Sequence, residues 1–83
     1  MERLDGNAAA GLLQEVFARE MTTATETCAS CGRASVVGAV HVYMDGPGTV
    51  LRCPTCEAVV MCIVRVRENL HVDLSGMRRI ELR

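Results

Sequence analysis

Four of the five cysteines in this 83-residue chain stand in two Cys-x-x-Cys pairs. The first pair is Cys28 and Cys31, the second is Cys53 and Cys56, and residues 32–52 separate them. Thiolate pairs at this spacing are the ligands of tetrahedral structural zinc sites. The pattern therefore predicts one Zn²⁺ ion, held by all four cysteines in a structural role.

Other chemistries also use paired cysteines. A thioredoxin-like redox pair needs one such motif at a helix start in a βαβ unit, whereas both pairs here lie between strand-like segments. Covalent haem attachment needs His directly after the pair, and Gly32 and Glu57 occupy those positions. Iron in a rubredoxin-like site remains an alternative, because it uses similar ligands. That fold relies on an aromatic core, however, and only 2% of the residues here are aromatic. Catalytic zinc would require one cysteine not to bind, since four thiolates close the coordination shell, so we expect no enzyme.

The size and composition of the chain also favour a structural metal. A single domain of this length lies near the limit at which an apolar core alone stabilises a fold. Its aromatic residues are Phe17 and Tyr43, and it has no Trp. Structural zinc contributes about 10–16 kcal/mol of binding free energy at neutral pH, most of which is folding free energy.

The charge pattern gives no general attraction to nucleic acid. The formal net charge is −1, and a dication bound by four thiolates makes it more negative. Residues 1–45 hold three Arg against six acidic residues, a balance of −3, while residues 46–83 hold six Arg against four, a balance of +2. The two halves would attract each other within one fold, or each would attract the opposite half of a second copy. A homodimer therefore remains an alternative.

The sequence indicates an intracellular, cytoplasmic protein. It contains no run of about 18 apolar residues that would span a membrane. Charged and amide residues at positions 14, 15, 19 and 20 interrupt the first apolar stretch, and no basic segment precedes it, so we predict no signal peptide. In a reducing compartment paired cysteines bind metal instead of forming disulfides.

Hydrophobic periodicity predicts one helix over Asn7–Glu20, capped by Asp5 or Asn7. Its apolar stripe either packs on a sheet or docks with a partner; the stripe comprises Leu12, Leu13, Val16 and Phe17. We predict an N-terminal helical segment, residues 1–21, followed by the metal-binding domain, residues 22–83. Predicted strands cover 22–27, Ser35–Tyr43, Thr49–Arg52, Ala58–Arg67 and Leu70–Leu74, with turns at Asp45–Gly48 and Glu68–Asn69. Residues 77–82 receive no assignment.

Other polar residues each have a functional and a structural interpretation. We interpret Cys62 as a small core residue. We interpret His41 and His71 as hydrogen-bonded or exposed histidines. An additional metal-ligand role is less favoured for all three, because they lack the Cys-x-x-Cys spacing. The C-terminal arginines would contact phosphate or a partner if they form a basic stripe, and would otherwise pair with N-terminal acids. These arginines are Arg52, Arg65, Arg67, Arg78 and Arg79.

The two knuckles, joined by strands and a Gly-Pro-Gly turn, resemble the zinc-ribbon superfamily over residues 22–67. The whole chain is also similar to a family of short, uncharacterised zinc-ribbon proteins of GC-rich bacteria. The resemblance implies four ligands, Cys28, Cys31, Cys53 and Cys56, and no reaction. We therefore predict a small α+β fold, in which an amphipathic N-terminal helix packs on an antiparallel zinc-ribbon sheet with rubredoxin-like knuckles. The expected function is that of an adaptor or regulator binding a protein partner, with an RNA- or DNA-associated factor as the alternative.

Overall fold

The computed structural model of the chain describes residues 3–44 and 46–82. The fold is a small α+β arrangement of one short helix and two antiparallel sheets. The helix α1 is Ala10–Phe17, and the strands are β1 Leu4–Asp5, β2 Thr25–Cys28, β3 Ala34–Val36, β4 His41–Tyr43, β5 Gly48–Arg52, β6 Val59–Val66, β7 Asn69–Asp73 and β8 Met77–Glu81. The larger sheet has the order β1-β4-β5-β6-β7 and the smaller one β3-β2-β8. No helix among the described residues is both long and apolar enough to cross a membrane.

The N-terminal helix is present but shorter than predicted. A 3-10 helix over Gly6–Ala9 precedes α1, and the Asp5 carboxylate caps it by accepting a hydrogen bond from the Asn7 N–H at 3.1 Å. The helix ends at Ala18, whose left-handed φ of 58° stops the helical run. Its apolar stripe packs against the core, with Leu13 fully buried. The division of the chain at residue 21 stays a prediction.

The predicted single strand over Ser35–Tyr43 is wrong. A 3-10 helix over Val37–Ala39 divides it, so that β3 belongs to the smaller sheet and β4 to the larger one. The N–H groups of Val37 and Gly38 donate to the carbonyls of Ala24 and Thr22, at 2.8 and 2.9 Å, instead of to a neighbouring strand. The chain thus crosses from one sheet to the other at this point.

Strand β1 was not predicted, and the other predicted elements lie within a few residues of their predicted positions, with two differences. The β6–β7 turn is at Arg67 and Glu68, one residue earlier than predicted, and Arg67 has a φ of 59°. Residues 77–82, which had no assignment, supply β8, which pairs with β2. In the predicted Asp45–Gly48 turn, Asp45 lies outside the described residues, and Gly46 has a φ of 69°.

The two faces of the larger sheet differ in burial. One face holds buried core residues, including Val42, Leu51, Met61 and Ile63. The other face, here called the open face, carries half-buried and exposed residues that alternate with them along the strands. The open face comprises His41, Tyr43, Val50, Arg52, Cys62, Val64, His71 and Asp73.

Glu26 is a charged residue inside the core. It is 0% exposed, and neither of its carboxylate oxygens has a hydrogen-bond partner among the described residues. Desolvation by burial raises the pKa of this carboxyl group. The folded protein therefore favours the neutral form, and at neutral pH the ionised form costs stability.

Glu26→Gln is expected to raise the free energy of unfolding by about 1 kcal/mol or more near neutral pH, because an unsatisfied buried charge is removed. A raised pKa means that the cost is present above the folded pKa and disappears as pH falls below the unfolded value of 4.5. Urea unfolding of both proteins from about pH 8 to pH 5 measures the difference, which should shrink with falling pH. A difference that is constant with pH would contradict the account.

Candidate metal centre

The four paired cysteines converge at one end of the molecule. Cys28 is the last residue of β2 and Cys53 directly follows β5, so each sheet contributes one knuckle. The first cysteine of each pair is buried, and Cys31 and Cys56 are exposed. The four Sγ atoms all lie within 4.8 Å of one another. In the described part of the chain, no other group of three or more Cys, His, Asp or Glu brings its ligand atoms together in this way.

The sulfur geometry fits a tetrahedral metal ion. Sγ of Cys28 lies 3.7 Å from that of Cys56, and Sγ of Cys31 lies 3.7 Å from that of Cys53. A zinc–sulfur bond of about 2.3 Å gives a tetrahedron with edges of about 3.8 Å. A disulfide would instead bring two sulfurs to about 2.05 Å, and all five cysteines are free. The cluster thus has the dimensions of a metal site.

The two knuckles have the same backbone conformation. The Gly32 N–H donates to the Cys28 carbonyl, and the Glu57 N–H donates to the Cys53 carbonyl, both at 2.9 Å. Each turn closes with a left-handed residue, since φ is 79° at Gly32 and 66° at Glu57. Glycine adopts this conformation freely, whereas glutamate does so with strain. The second knuckle therefore needs contacts that hold Glu57 in place.

Three side chains of the open face supply those contacts. The Glu57 carboxylate binds the His41 ring at Nδ1 and accepts a hydrogen bond from the Tyr43 hydroxyl at 3.2 Å. The Arg52 guanidinium donates to the Glu57 carbonyl at 2.8 Å and lies 5.9 Å from the centre of the Tyr43 ring. The hydrogen bond from His41 is the main cause that lowers the pKa of Glu57. These contacts fasten the second knuckle to β4 and β5.

Glu57→Gly and Glu57→Ala separate backbone strain from the side-chain contacts. Both variants lose the contacts with His41 and Tyr43, but only alanine keeps a side chain that opposes positive φ. We expect both to melt below the native protein, with the alanine variant lower than the glycine variant by a few degrees. Thermal melting of the zinc-loaded proteins measures the order. An alanine variant as stable as the glycine variant would show that Glu57 is not strained.

The thiols of the cluster have divergent acidities without a metal. Burial raises the pKa of Cys53, but backbone N–H groups of Cys56 and Thr55 and neighbouring thiols outweigh it, and the pKa is lowered to about 7. The backbone N–H of Arg33 acts to lower the pKa of Cys31, yet burial and the other thiols raise it to about 11. Neighbouring thiols thus favour ionisation of Cys53 and oppose that of Cys31, and a divalent cation is the natural counter-charge when all four ionise.

The candidate contact arginines are dispersed. Arg52 lies on the open face and contacts Glu57, whereas Arg65 lies on the opposite face and pairs with Glu15 of α1 at 2.8 Å. Arg67 is in the β6–β7 turn, and Arg78 and Arg79 are exposed on β8 in the other sheet. Both ion-paired side chains of the Arg65–Glu15 bridge are about half exposed, so the bridge contributes little stability.

Sequence reasoning missed the contacts around Glu57 and the burial of Glu26. A signal existed for the first, because Glu57 stands where the first knuckle has glycine and thus needs external support. For Glu26, the alternation of strand β2 places it on the same side as Cys28, which was a hint of burial.

Comparison with known families gives a match, over residues 1–83, to the model of a family of unknown function (DUF6510). No curated protein and no solved structure matches the chain. The family description names neither a zinc ribbon nor a metal, so the resemblance to zinc ribbons stays a prediction.

Proposed function

We propose that this chain, which belongs to the family of unknown function DUF6510, is a structural metal protein whose four clustered cysteines hold one Zn²⁺ ion. The observation that carries the proposal is the sulfur arrangement, because two of the six Sγ–Sγ separations, at 3.7 Å, match the edges of a zinc–thiolate tetrahedron and all six lie within 4.8 Å. We further propose that the knuckles and strands form a zinc-ribbon arrangement.

In this proposal the ion fastens the two sheets together. The first knuckle extends from β2 of the smaller sheet, and the second extends from β5 of the larger one. Four thiolates leave no coordination position for a substrate, so we propose no catalytic role for this ion. Iron has the same ligand preference, and the bound metal is therefore to be identified by measurement.

We propose that the rigid product is an adaptor that binds a protein partner in the cytoplasm. Among the described residues, six large apolar side chains are at least 39% exposed and are available for contacts with a protein. They are Val36, Met44, Val59, Val66, Leu74 and Leu82. Two of the basic residues that a nucleic acid would need, Arg52 and Arg65, are engaged by Glu57 and Glu15 on opposite faces. Protein binding is thus the better-supported class.

The test combines metal counting with capture of partners. Native mass spectrometry of the purified chain should show one zinc per chain, and a folded protein without metal would refute the structural site. Affinity purification from the native cell should return the same protein partner with and without nuclease. Loss of all partners after nuclease treatment, together with salt-sensitive heparin binding that Arg78→Ala and Arg79→Ala abolish, would instead establish the nucleic-acid alternative.

A further inference from the structure

A cavity on the open face is bordered by none of the four clustered cysteines. Its volume is about 340 Å³, and it is formed by β6 and β7. Three of the residues that line it carry metal-binding or nucleophilic groups, namely Cys62, His71 and Asp73, and the other two are Val64 and Val72. A thiol, an imidazole and a carboxylate therefore border one cavity.

Strand register places these three groups on the same face. Cys62 is directly opposite Asp73, and Val64 is directly opposite His71. In an antiparallel pair, directly opposed Cβ atoms lie about 5 Å apart and diagonal neighbours about 7–8 Å apart. His71 and Asp73 are two residues apart on one strand and thus point to the same side. The three side chains therefore lie next to one another on one face of the β6–β7 pair.

The chemical state of the donors suits a cation. Asp73 is exposed, and an exposed Asp is a carboxylate near neutral pH. The Ser75 N–H donates to Oδ1 of Asp73 at 2.8 Å, which orients the carboxylate. Cys62 has a free thiol, is half-buried and does not belong to the four-cysteine cluster. Hydrogen-bonded orientation of a ligating group is characteristic of metal sites.

We propose that Cys62, His71 and Asp73 form a second metal site, which takes a borderline divalent cation such as Zn²⁺. Sulfur, nitrogen and oxygen donors of these types all bind zinc, and three protein ligands leave one position for water or another ligand. The donor atoms do not form a close group like that of the four cysteines, so binding of one ion requires these side chains to rotate inward. The site consequently binds more weakly than the tetrathiolate site and fills after it.

Zinc titration of the full chain tests the site. Native mass spectrometry should show one ion first and a second at excess zinc. The nitrogen-15 resonances of the His71 ring should shift with the second ion only, while those of His41, whose Nδ1 is occupied by Glu57, serve as the internal reference. Asp73→Asn is a matched change, because it keeps an oxygen acceptor for Ser75 and removes the charge.

Cys62→Ala, His71→Ala and Asp73→Asn should each lower the affinity for the second ion about tenfold or more. Loss of a residue that only hydrogen-bonds to a ligand already lowers metal affinity about 10–100-fold. All three should keep the first ion, which shows that they fold. Val64→Ala is the control, because it alters the same cavity without removing a donor. A single ion at saturating zinc, an unshifted His71 ring, or a second ion bound equally by all three variants would overturn the proposal.

Discussion

Removal of the metal with a strong chelator is expected to unfold the protein. Structural zinc contributes about 10–16 kcal/mol, whereas small domains have a total stability of about 5–15 kcal/mol. Among residues 3–44 and 46–82, the fully buried hydrophobic core includes no aromatic side chain, and its largest members are Leu, Met and Ile. The remaining burial therefore cannot balance the conformational entropy of the chain once the ion leaves.

Amide NMR spectra before and after chelation measure this effect. Dispersed resonances should collapse into the narrow range of an unfolded chain, and added zinc should restore them. The control is the same titration with excess magnesium present, because Mg²⁺ prefers oxygen ligands and does not replace zinc at thiolates. A dispersed and unchanged spectrum after proven loss of the ion would refute the structural role of the metal.

Cys53→Ser is expected to lower the melting temperature far more than Cys62→Ser. Cys53 is fully buried, and its Sγ lies 3.7 Å from that of Cys31 inside the cluster. A serine hydroxyl is a poor replacement for a thiolate, so most of the metal-binding free energy is lost. Cys62 is half-buried in the middle of β6, and its change to serine should cost about 1 kcal/mol or less.

Thermal unfolding with one equivalent of zinc compares these variants. The Cys53 variant should show no cooperative transition or one that is lower by tens of degrees, and the Cys62 variant should melt within a few degrees of the native protein. Cys28→Ser provides a second ligand variant with the same expected loss. Equal melting of the Cys53 and Cys62 variants would contradict the assignment of ligands.

The sequence predicted the features that depend on residues close together in the chain. The clustering of the four paired cysteines follows from their spacing, and strands β5, β6 and β7 follow from short apolar segments bounded by turn residues. The break at Val37–Ala39 was missed because its N–H groups pair with residues of another segment, Ala24 and Thr22. Such tertiary hydrogen bonds override strand propensity and leave no periodic signal.

The same limit applies to the last strand and to the surroundings of the metal centre. Met77–Glu81 becomes a strand because β2, about fifty residues earlier in the chain, offers it an edge. The contacts of Glu57 depend on how β4 and β5 lie beside the second knuckle. Residue types at these positions are visible in the sequence, but their juxtaposition is a property of the assembled fold.

The pairing of β2 with β8 has a consequence for folding. All four cysteines precede β8, the segment that completes the smaller sheet, along the chain. Before β8 is in place, the strand that leads into Cys28 has an exposed edge, which is a hazard for unwanted association. We expect a metal ion bound at the two knuckles to hold that strand in place until β8 pairs with it, so metal supply during folding should affect the yield of correctly folded protein.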